Sequence, residues 1–477
     1  MAPPPDTSGV VAAYLAASLA IGVAVKNKAS SLRGFLVANR SMRDWMLAFT
    51  FGATYFSSVV MIVGSSWAYA WGPLALIIPL ANIAIGALLA FIVVGERVNR
   101  LGKRLDALTI PELVARLHGD SGLQRFLGVV VAAGLLLYLI TVAGGVAVVL
   151  DNALHIGLAA SAAIIAAVLA GYVALGGMYS VVLTDVLQGV IMASIVGAVA
   201  FLALSHAGVS SLDAVTARPP STLVIADLAM LTSLAVWGLP QLLNRFYTVP
   251  SARAVRRATG LATLFAFIVA LGSFLAGLAA HVLASPSKPI DALPALVARL
   301  LGEPGLAVLA AAVLAAAMST ADSVALTAAS ALVYDAAGSK DTTRLRAASA
   351  AVVVAATLAA IAVLALPKTI YAALTAVFRT GWSLTAGALL VPVLAAIYGH
   401  RCPGAARAAA VAGAGTALVL ALVKIAATLA GIKPPAPLPT LLQLSFTTTI
   451  AASTIAYIAA AMLLKQRSKN KQTQPIL

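Results

Sequence analysis

The chain has 477 residues, of which 62% are hydrophobic and only 10% are charged. Soluble domains are roughly 45–50% apolar and about 25% charged, so this composition excludes an ordinary soluble protein and indicates one that lives in a lipid bilayer. The formal net charge of +16 is spread over short loops between apolar runs. It therefore indicates membrane topology and argues against a nucleic-acid partner.

Apolar runs long enough to cross a bilayer follow one another along the chain. A spanning helix needs ~20 apolar residues, and short charged or Pro/Gly-containing segments separate such runs here. The sequence therefore predicts an all-α integral membrane protein without a soluble module. The thirteen predicted spans are 9–25, 45–71, 73–96, 123–150, 156–176, 182–205, 222–243, 258–284, 305–335, 346–366, 370–398, 405–431 and 437–464.

Basic residues are concentrated in alternate loops between these spans. The loop 26–43, the segment 245–257 and the tail 465–471 are among the richest in Lys and Arg. Because basic loops stay in the cytoplasm, the pattern predicts a multi-pass protein of the plasma membrane with its N-terminus outside and its C-terminus inside. That orientation requires an odd number of spans, and thirteen satisfies it.

The second predicted span has polar residues between two glycines in its middle. Gly52 and Gly64 flank a cluster of hydroxyl side chains in the segment AFTFGATYFSSVVMIVGSSWAYAWG. The hydroxyl-bearing residues of this cluster are Thr54, Tyr55, Ser57 and Ser58. The pattern indicates a helix that is interrupted near the middle of the membrane.

The seventh span repeats this arrangement five spans later. Gly238 and Pro240 interrupt it, and Gln241 and Asn244 follow. Interrupted helices in matching positions of two halves are typical of transporters built from inverted repeats. The alternative is that Gly and Pro are simply common in membrane helices.

A five-plus-five inverted repeat would pair these two spans as the first helices of each half. It divides the chain into an accessory helix and loop (1–44), a first repeat (45–205), a second repeat (222–400) and two accessory helices with a basic tail (401–477). Spans one, twelve and thirteen are then accessory.

The ninth span carries a polar stripe in an Ala-rich helix. Ser319, Asp322 and Ser323 are spaced i, i+3, i+4 and share one face, and Thr320 is next to Ser319. Hydroxyl, carbonyl and carboxylate oxygens are the ligands that hard cations such as sodium prefer. A carboxylate at a helix centre costs ~2.5–3.5 kcal/mol on insertion scales, so a cation, a proton or a donor must offset it. For Ser319 and Thr320 alone, helix packing is an equal alternative.

Asp185, in the sixth span, is the second intramembrane acid. Thr184 precedes it and Gln188 follows. One interpretation is an N-terminal cap at the positive end of the helix dipole. The other is that its carboxylate faces an ion path, and the sequence leaves both open.

Several motifs in order along the chain resemble those of the sodium/solute symporter family. They are GGMYSVVLTDVLQG (176–189), WGLPQLLNRFYTVPSARAVRRATG (237–260), AAAMSTADS (315–323) and SALVYD (330–335). The family includes proline permease and the sodium/glucose cotransporters, and the resemblance covers about residues 9–400. It implies a LeuT-like inverted-repeat fold and sodium-coupled symport of a small organic solute by alternating access, with sodium as the coupling ion and no cofactor.

The resemblance also implies which residues bind sodium. It assigns hydroxyl ligands to Ser319 and Thr320 and carbonyl ligands to Ala316, Thr54 and Ser57.

The resemblance gives the intramembrane acids a further role. Asp185 corresponds to a family aspartate associated with ion release or a second ion. Asp322 and Ser323 are candidates for the same ion path by their position on the ninth span and not by the resemblance, and the partner of Asp322 is left open.

The solute is less well defined. Phe56 stands where proline permease has an aspartate, and Met61 stands near the position of a glutamine in the sugar transporters. These differences argue against a sugar and leave an amino acid such as proline, or a small carboxylate, as candidates. The residues expected to contact the solute, by position, are Ser58, Met61, Thr141, Trp237 and Gln241. Arg379 either binds an anionic solute or reaches the membrane interface.

Two other classes of function stay open. One is a proton-coupled or uniport carrier of the same fold, in which Asp322 or Asp185 titrates. The other is a membrane sensor that does not transport. An enzyme is not expected, because the sequence has no Gly-rich phosphate loop, no Cys/His metal cluster and no nucleophile–base pair. The oligomeric state is left open.

Overall fold

The computed structural model describes residues 5–208, 218–366, 368–432 and 436–472, with side chains described except at 5–7, 368–379 and 467–472. Within these ranges all regular secondary structure is helical. The α-helices are α1 Pro5–Val25, α2 Leu32–Val37, α3 Asp44–Tyr55, α4 Ser65–Trp71, α5 Ile77–Ala81, α6 Glu96–Arg104, α7 Ile110–His118, α8 Ser121–Leu154, α9 Leu158–Ala207, α10 Thr222–Ser233, α11 Pro240–Leu243, α12 Ala252–Ala266, α13 Gly272–Leu283, α14 Ala292–Ser330, α15 Thr342–Leu364, α16 Lys368–Ile397, α17 Pro403–Ala430, α18 Leu438–Gln443 and α19 Ser445–Gln472.

Short segments of tighter or wider helix connect several of these α-helices. The π-helical segments are Val59–Gly64, Asn82–Gly95, Phe267–Leu271 and Ala331–Ala336. The 3₁₀ segments are Ala38–Arg40, Gly72–Leu76, Leu234–Gly238, Asn244–Tyr247 and Pro289–Asp291. Wide turns of this kind are frequent at functional sites, and Val59–Gly64 lies directly after the interruption of the second predicted span.

Continuous helices do not by themselves confirm the predicted count of thirteen spans. Within the described residues ten helical stretches are long and apolar enough to cross a membrane, or eleven if one bent pair is a single span. Three of them, Val59–Arg104, Leu158–Ala207 and Pro289–Ala336, have 46, 50 and 48 residues. At 1.5 Å per residue each is about 70 Å long, more than twice the ~30 Å hydrocarbon layer. Thirteen crossings therefore stay a prediction, which requires the first two stretches to cross twice and the third to cross once.

Glycine conformation marks where two of these long stretches, Val59–Arg104 and Leu158–Ala207, are interrupted. Gly72 has φ 65° and Gly177 has φ 48°, a region that only glycine enters readily. Gly177 divides α9 into a shorter part, 158–176, and a longer part, 178–207, and each reaches about the ~20 residues that a span needs.

The second predicted span is interrupted in its middle. Helix α3 ends at Tyr55, and Phe56 has φ −97° and ψ 87°, outside the helical region. The Ser57 hydroxyl accepts a hydrogen bond from the Val59 backbone N–H at 3.2 Å. A serine that bonds the backbone in this way competes with the helix, so the interruption falls between the two glycines and not on them.

The seventh span is also broken, as the sequence predicts. Thr222–Gly238 and Pro240–Tyr247 meet at an angle of 55°, and Leu239 between them is extended. Pro240 lacks the N–H that a continuous helix would use. The Tyr55 hydroxyl donates to the Thr232 carbonyl at 2.6 Å, so the two broken helices are in direct contact.

Helix α14 carries the polar stripe through the centre of the protein. It packs against α3, α8, α9, α13 and α15, and every residue from 311 to 330 is buried, including Ser319 and Asp322 at 0% exposure. The stripe therefore faces other helices and not lipid.

Two arginines that the topology prediction places in loops are buried. Arg40 is 4% exposed and donates to the carbonyls of Gly102 and Ala107 at 3.2 and 2.8 Å. Arg245 is 1% exposed. Neither acts as a solvated charge beside the membrane, and the orientation of the termini stays a prediction that rests on the remaining loops.

Candidate ion and solute site

The hydroxyls of α14 meet the backbone of the interrupted helix. Ser319 Oγ donates to the Ala53 carbonyl at 2.9 Å and lies 3.1 Å from the Ala316 carbonyl. Thr320 Oγ1 lies 3.4 Å from the Thr54 carbonyl and 3.3 Å from the Ala316 carbonyl. Two hydroxyl and three carbonyl oxygens thus converge between α3 and α14, and this group is called the neutral oxygen cluster below.

The interruption explains why these carbonyls face a neighbouring helix. The last helical bond of α3 runs from the Phe56 N–H to the Gly52 carbonyl at 2.9 Å. The carbonyls of Ala53 and Thr54 come next, at the end of the helix, where carbonyls lack a partner from their own helix. Uncharged oxygens in this number suit a hard monovalent cation such as sodium.

The structure brings together four of the five predicted sodium ligands. Thr54, Ala316, Ser319 and Thr320 belong to the neutral oxygen cluster, whereas the Ser57 carbonyl accepts a hydrogen bond from the Val60 N–H at 3.0 Å. The Ala53 carbonyl joins the cluster although the sequence analysis did not select it. A backbone ligand leaves no residue-specific signal, because any amino acid can supply a carbonyl.

Asp185, on α9, is fully buried against α3. Its Oδ2 accepts hydrogen bonds from Thr50 Oγ1 at 2.5 Å and Thr54 Oγ1 at 3.3 Å, and its Oδ1 has no hydrogen-bond partner. The carboxylate therefore bonds side chains of α3 across the interface. Gly177 is eight positions earlier, so Asp185 does not cap the start of this part of the helix.

Arg245 supplies the positive charge beside Asp185. Its Nη2 is 3.4 Å from Asp185 Oδ2 and 3.1 Å from Thr54 Oγ1, and it also bonds the Ser323 hydroxyl. Its Nη1 is 2.8 Å from the sulfur of Met178. The guanidinium therefore lies among α3, α9 and α14 and ties all three to the second half of the second broken helix, Pro240–Tyr247.

Asp322 has a separate set of partners. Its Oδ2 accepts from the Tyr172 hydroxyl at 2.8 Å and from Thr184 Oγ1 at 3.2 Å. Its Oδ1 accepts from the Ser323 hydroxyl at 3.0 Å. The hydroxyls of Thr54 and Ser323 lie 2.9 Å apart, so the environments of the two carboxylates are joined.

These groups form a second cluster, called the charged network below, with Asp185, Asp322 and Arg245 as its ionisable members. All three are at most 1% exposed. Two carboxylates against one guanidinium leave a deficit of one positive charge when both acids are ionised. Buried charges persist only when they are paired and hydrogen-bonded. One further monovalent cation or one proton would therefore balance the charge of this network.

The residues expected to contact the solute separate into two sets. Ser58 and Thr141 line a cavity of about 390 Å³ between the interrupted helix, α8, α14 and α15. The other three, Met61, Trp237 and Gln241, lie outside its lining.

The hydrogen bonding of two of those three side chains, Trp237 and Gln241, differs. Trp237 Nε1 donates to the Ile85 carbonyl at 3.0 Å. The buried Gln241 has no hydrogen-bond partner for either amide atom. The side chain of Arg379 lies outside the described residues.

Sequence reasoning missed three members of the charged network. Arg245 was assigned to a basic loop, although it directly follows Asn244 at the end of a Pro-broken apolar span, which was the available signal. Thr50 and Tyr172 lie in ordinary apolar runs without a sequence signal of their own. Their roles are visible only in the fold, where Thr50 donates to Asp185 and Tyr172 donates to Asp322 from other helices.

A family model matches the chain over most of its length. The model of the sodium:solute symporter family covers residues 35–414, and the chain belongs to that family. It is therefore a transporter and not an enzyme, and sodium-coupled solute transport is the family's activity.

Curated relatives are identical to this chain at about a quarter of the aligned positions. The sodium/pantothenate symporter of Haemophilus influenzae is 27% identical over 330 residues, which cover 65% of this chain and 67% of that protein. The high-affinity proline transporter PutP of Bacillus subtilis is 26% identical over 341 residues, covering 66% of this chain and 71% of that protein.

Solved structures show the fold. A Na⁺-coupled sialic acid symporter superposes with a TM-score of 0.69 at 19% identity, covering 95% of this chain and 98% of that one. MhsT, solved in complex with L-phenylalanine, superposes with a TM-score of 0.55 at 14% identity, covering 88% of this chain and 99% of that one. The predicted LeuT-like fold is confirmed.

Proposed function

We propose that the protein carries a small organic solute, an amino acid such as proline or a small carboxylate, together with sodium by alternating access. The observation that carries this proposal is the neutral oxygen cluster. Hydroxyls of α14 lie within 2.9–3.4 Å of carbonyls exposed by the interruption of α3. Sodium bound there links two helices that belong to different predicted repeats.

The proposed ligands are the carbonyls of Ala53, Thr54 and Ala316 and the hydroxyls of Ser319 and Thr320. Ser57 completes the set if its carbonyl turns toward the ion when α3 and α14 are bridged. A cation that holds these helices together favours the conformation with a formed solute pocket. By linkage, sodium must then raise the affinity for the solute by the same factor by which the solute raises the affinity for sodium.

The oxygens of the charged network have a proposed role in the path of the ion. Asp322 and Ser323 lie one turn from the neutral oxygen cluster on α14, and Asp185 on α9 is joined to it by a hydrogen bond from the Thr54 hydroxyl. We infer that a sodium ion leaving the cluster passes these oxygens, or that a second ion stays there. The proposed orientation, with the C-terminus in the cytoplasm, sends the ion inward along this path.

One specific observation favours a second candidate, a proton-coupled carrier. The charged network holds two buried carboxylates against one guanidinium, and a proton compensates the excess negative charge as well as a sodium ion does. In that case Asp322 or Asp185 titrates during the cycle.

Uptake by proteoliposomes distinguishes these two candidates. Purified full-length protein is supplied with a panel of radiolabelled amino acids, monocarboxylates and pantothenate. The external cation is sodium or choline, each at pH 6 and pH 8. We expect uptake that needs sodium at both pH values. Uptake in choline that is faster at pH 6 than at pH 8 would instead establish proton coupling, and no concentrative uptake under any condition would overturn transport.

A further inference from the structure

The cavity next to the helix interruption has a composition that bears on the solute. It lies on the C-terminal side of the interruption, where Ser58 and Val59 of the interrupted helix line it. Tyr138, on its wall, also interacts with Ser57 and Thr320. The cavity therefore adjoins the neutral oxygen cluster, as a site coupled to the ion must.

The volume of this cavity fits a small molecule. It measures about 390 Å³, and small-ligand sites occupy about 300–1,000 Å³. Only three of its seventeen lining residues are polar, and all three carry hydroxyls: Ser58, Tyr138 and Thr141. The remaining lining residues are aliphatic or glycine, and none of the seventeen carries a charge or an amide.

The positions of the polar residues make one end of the cavity polar and leave the other end apolar. Ser58 adjoins the interruption, and Tyr138 and Thr141 lie within one turn of each other on α8. The aliphatic wall extends away from them along α8 to Val148 and Val149 and onto α15 at Val363. A solute placed here has a polar environment at the interruption and a hydrocarbon environment along the rest of its length.

We propose that the solute is an amphipathic molecule with one polar head group and a hydrocarbon body, aliphatic or aromatic, such as an apolar amino acid or a monocarboxylate with an apolar side chain. This inference rests on the proposed function, since it assigns the solute of the same carrier. The head group lies at the interruption beside Ser58, Tyr138 and Thr141. The body lies against the aliphatic wall.

The energetic argument concerns groups along the body of the solute. Each CH₂ buried against this wall strengthens binding, whereas a buried hydroxyl without a hydrogen-bond partner weakens it. A sugar or another solute with several hydroxyls would leave most of them unpaired against this wall. The same argument disfavours pantothenate, which carries hydroxyls on its branched end.

Pairs of solutes that differ in one hydroxyl group test this proposal. Purified full-length protein in sodium is titrated with valine against threonine, phenylalanine against tyrosine, and 3-methylbutanoate against 3-hydroxybutanoate. Binding is read from the rise in melting temperature, and ²²Na⁺ binding is measured on the same preparation. In at least one pair we expect the hydrocarbon member to half-saturate at a concentration about 10- to 100-fold lower, the discrimination that apolar pockets reach against an added hydroxyl.

The outcomes separate this inference from the proposed function. If ²²Na⁺ binds and the hydroxylated members bind equally or better, or none of the six binds while pantothenate does, the solute class is wrong and sodium coupling stands. If ²²Na⁺ does not bind at all, the proposed function itself fails.

A cavity-filling variant locates the binding. Gly145 lines the cavity, and a Cβ built on it meets nothing within 4 Å, so Gly145→Leu fills space without a clash. Gly415 on α17 is also a helical glycine with open space around it, which makes Gly415→Leu the matched control.

We expect Gly145→Leu to weaken binding of the preferred hydrocarbon solute at least tenfold and to leave ²²Na⁺ binding in the absence of solute unchanged. The control should bind like the wild type. An equal and small effect of both substitutions would show that the solute does not use this cavity and would overturn the proposal.

Discussion

Helix α14 carries two polar groups one turn apart, and they are satisfied in different ways. Ser319 and Thr320 face carbonyl dipoles of an interrupted helix. Asp322 and Ser323 face tyrosine, threonine and arginine side chains from other helices. The first group offers only uncharged oxygens, whereas the second includes a positive charge that is covalently part of the chain.

This difference indicates which group exchanges an ion during transport. A site of neutral oxygens binds sodium without a permanent charge that must be neutralised when the ion leaves. If the guanidinium of Arg245 moved out of the charged network, the protein would lose several kcal/mol of stability, because an unpaired buried charge is costly. We therefore assign the exchangeable ion to the neutral oxygen cluster and a mainly structural and electrostatic role to Arg245.

The largest expected effect concerns this arginine. Arg245→Met leaves Asp185 buried opposite no guanidinium and should destabilise the protein by about 3–5 kcal/mol, the usual result of breaking a buried ion pair from one side. The measurement is the fraction of monodisperse protein that remains after heating in detergent.

The double variant Asp185→Asn/Arg245→Met provides the control, because it removes both charges. It should recover most of the lost thermal stability. If the single and double variants lose stability equally, the ion pair does not explain the burial of Arg245, and the distinction between the two groups weakens.

A smaller effect is expected at the second carboxylate. Asp322→Asn keeps the shape of the side chain and removes one negative charge one turn from the neutral oxygen cluster. We expect the sodium concentration for half-maximal uptake to rise about tenfold, equivalent to about 1.4 kcal/mol. Tyr172→Phe, which removes only a hydrogen bond to Asp322, should change it less. A larger effect of the tyrosine substitution would mean that hydrogen bonding and not charge governs this position.

The smallest effect is expected for a charge pair at the ends of two helices, with Asp120 just before α8 and Arg407 near the start of α17. Arg407 Nη2 lies 2.6 Å from Asp120 Oδ1, and the arginine side chain is 57% exposed. Burial acts to raise the pKa of the Asp120 carboxyl, but hydrogen bonds from Arg407 and the backbone outweigh it and hold that pKa below its usual value. The pair therefore stabilises the protein at neutral pH and loses this contribution as the pH falls through the lowered pKa.

Arg407→Gln should accordingly lower stability by about 0.2–1 kcal/mol at pH 7, with a smaller difference at about pH 3, below the ordinary pKa of an aspartate. Thermal denaturation of both proteins at the two pH values measures this. A loss as large as that of Arg245→Met would contradict the view that burial makes the difference between the two pairs.

Much of the fold could be predicted because it depends on hydrophobic runs and on breaks with a local cause. The polar segment between Gly52 and Gly64 and the Gly238–Pro240 pair both mark interrupted helices, and the structure has both interruptions. Counting spans was harder, since Gly72 and Gly177 interrupt helices that otherwise run on.

The candidate site was predictable where side chains carry the chemistry. Ser319 and Thr320 could be selected as hydroxyls in an apolar helix, and the structure brings them to the interruption. The Ala53 carbonyl has no sequence signal. Arg245 was assigned to a loop because charge rules describe solvated arginines, and its burial depends on Asp185, 60 positions earlier in the chain and adjacent only in the fold.

The most direct test of the account is equilibrium ²²Na⁺ binding to the variant Ser319→Ala/Thr320→Ala. The matched control is Thr327→Ala/Ser330→Ala, which removes two buried hydroxyls of the same helical region that donate to carbonyls of α14 itself. We predict that the first variant loses at least tenfold in sodium affinity while the control binds like the wild type. Equal sodium affinity in all three proteins would contradict the assignment of the ion to the neutral oxygen cluster.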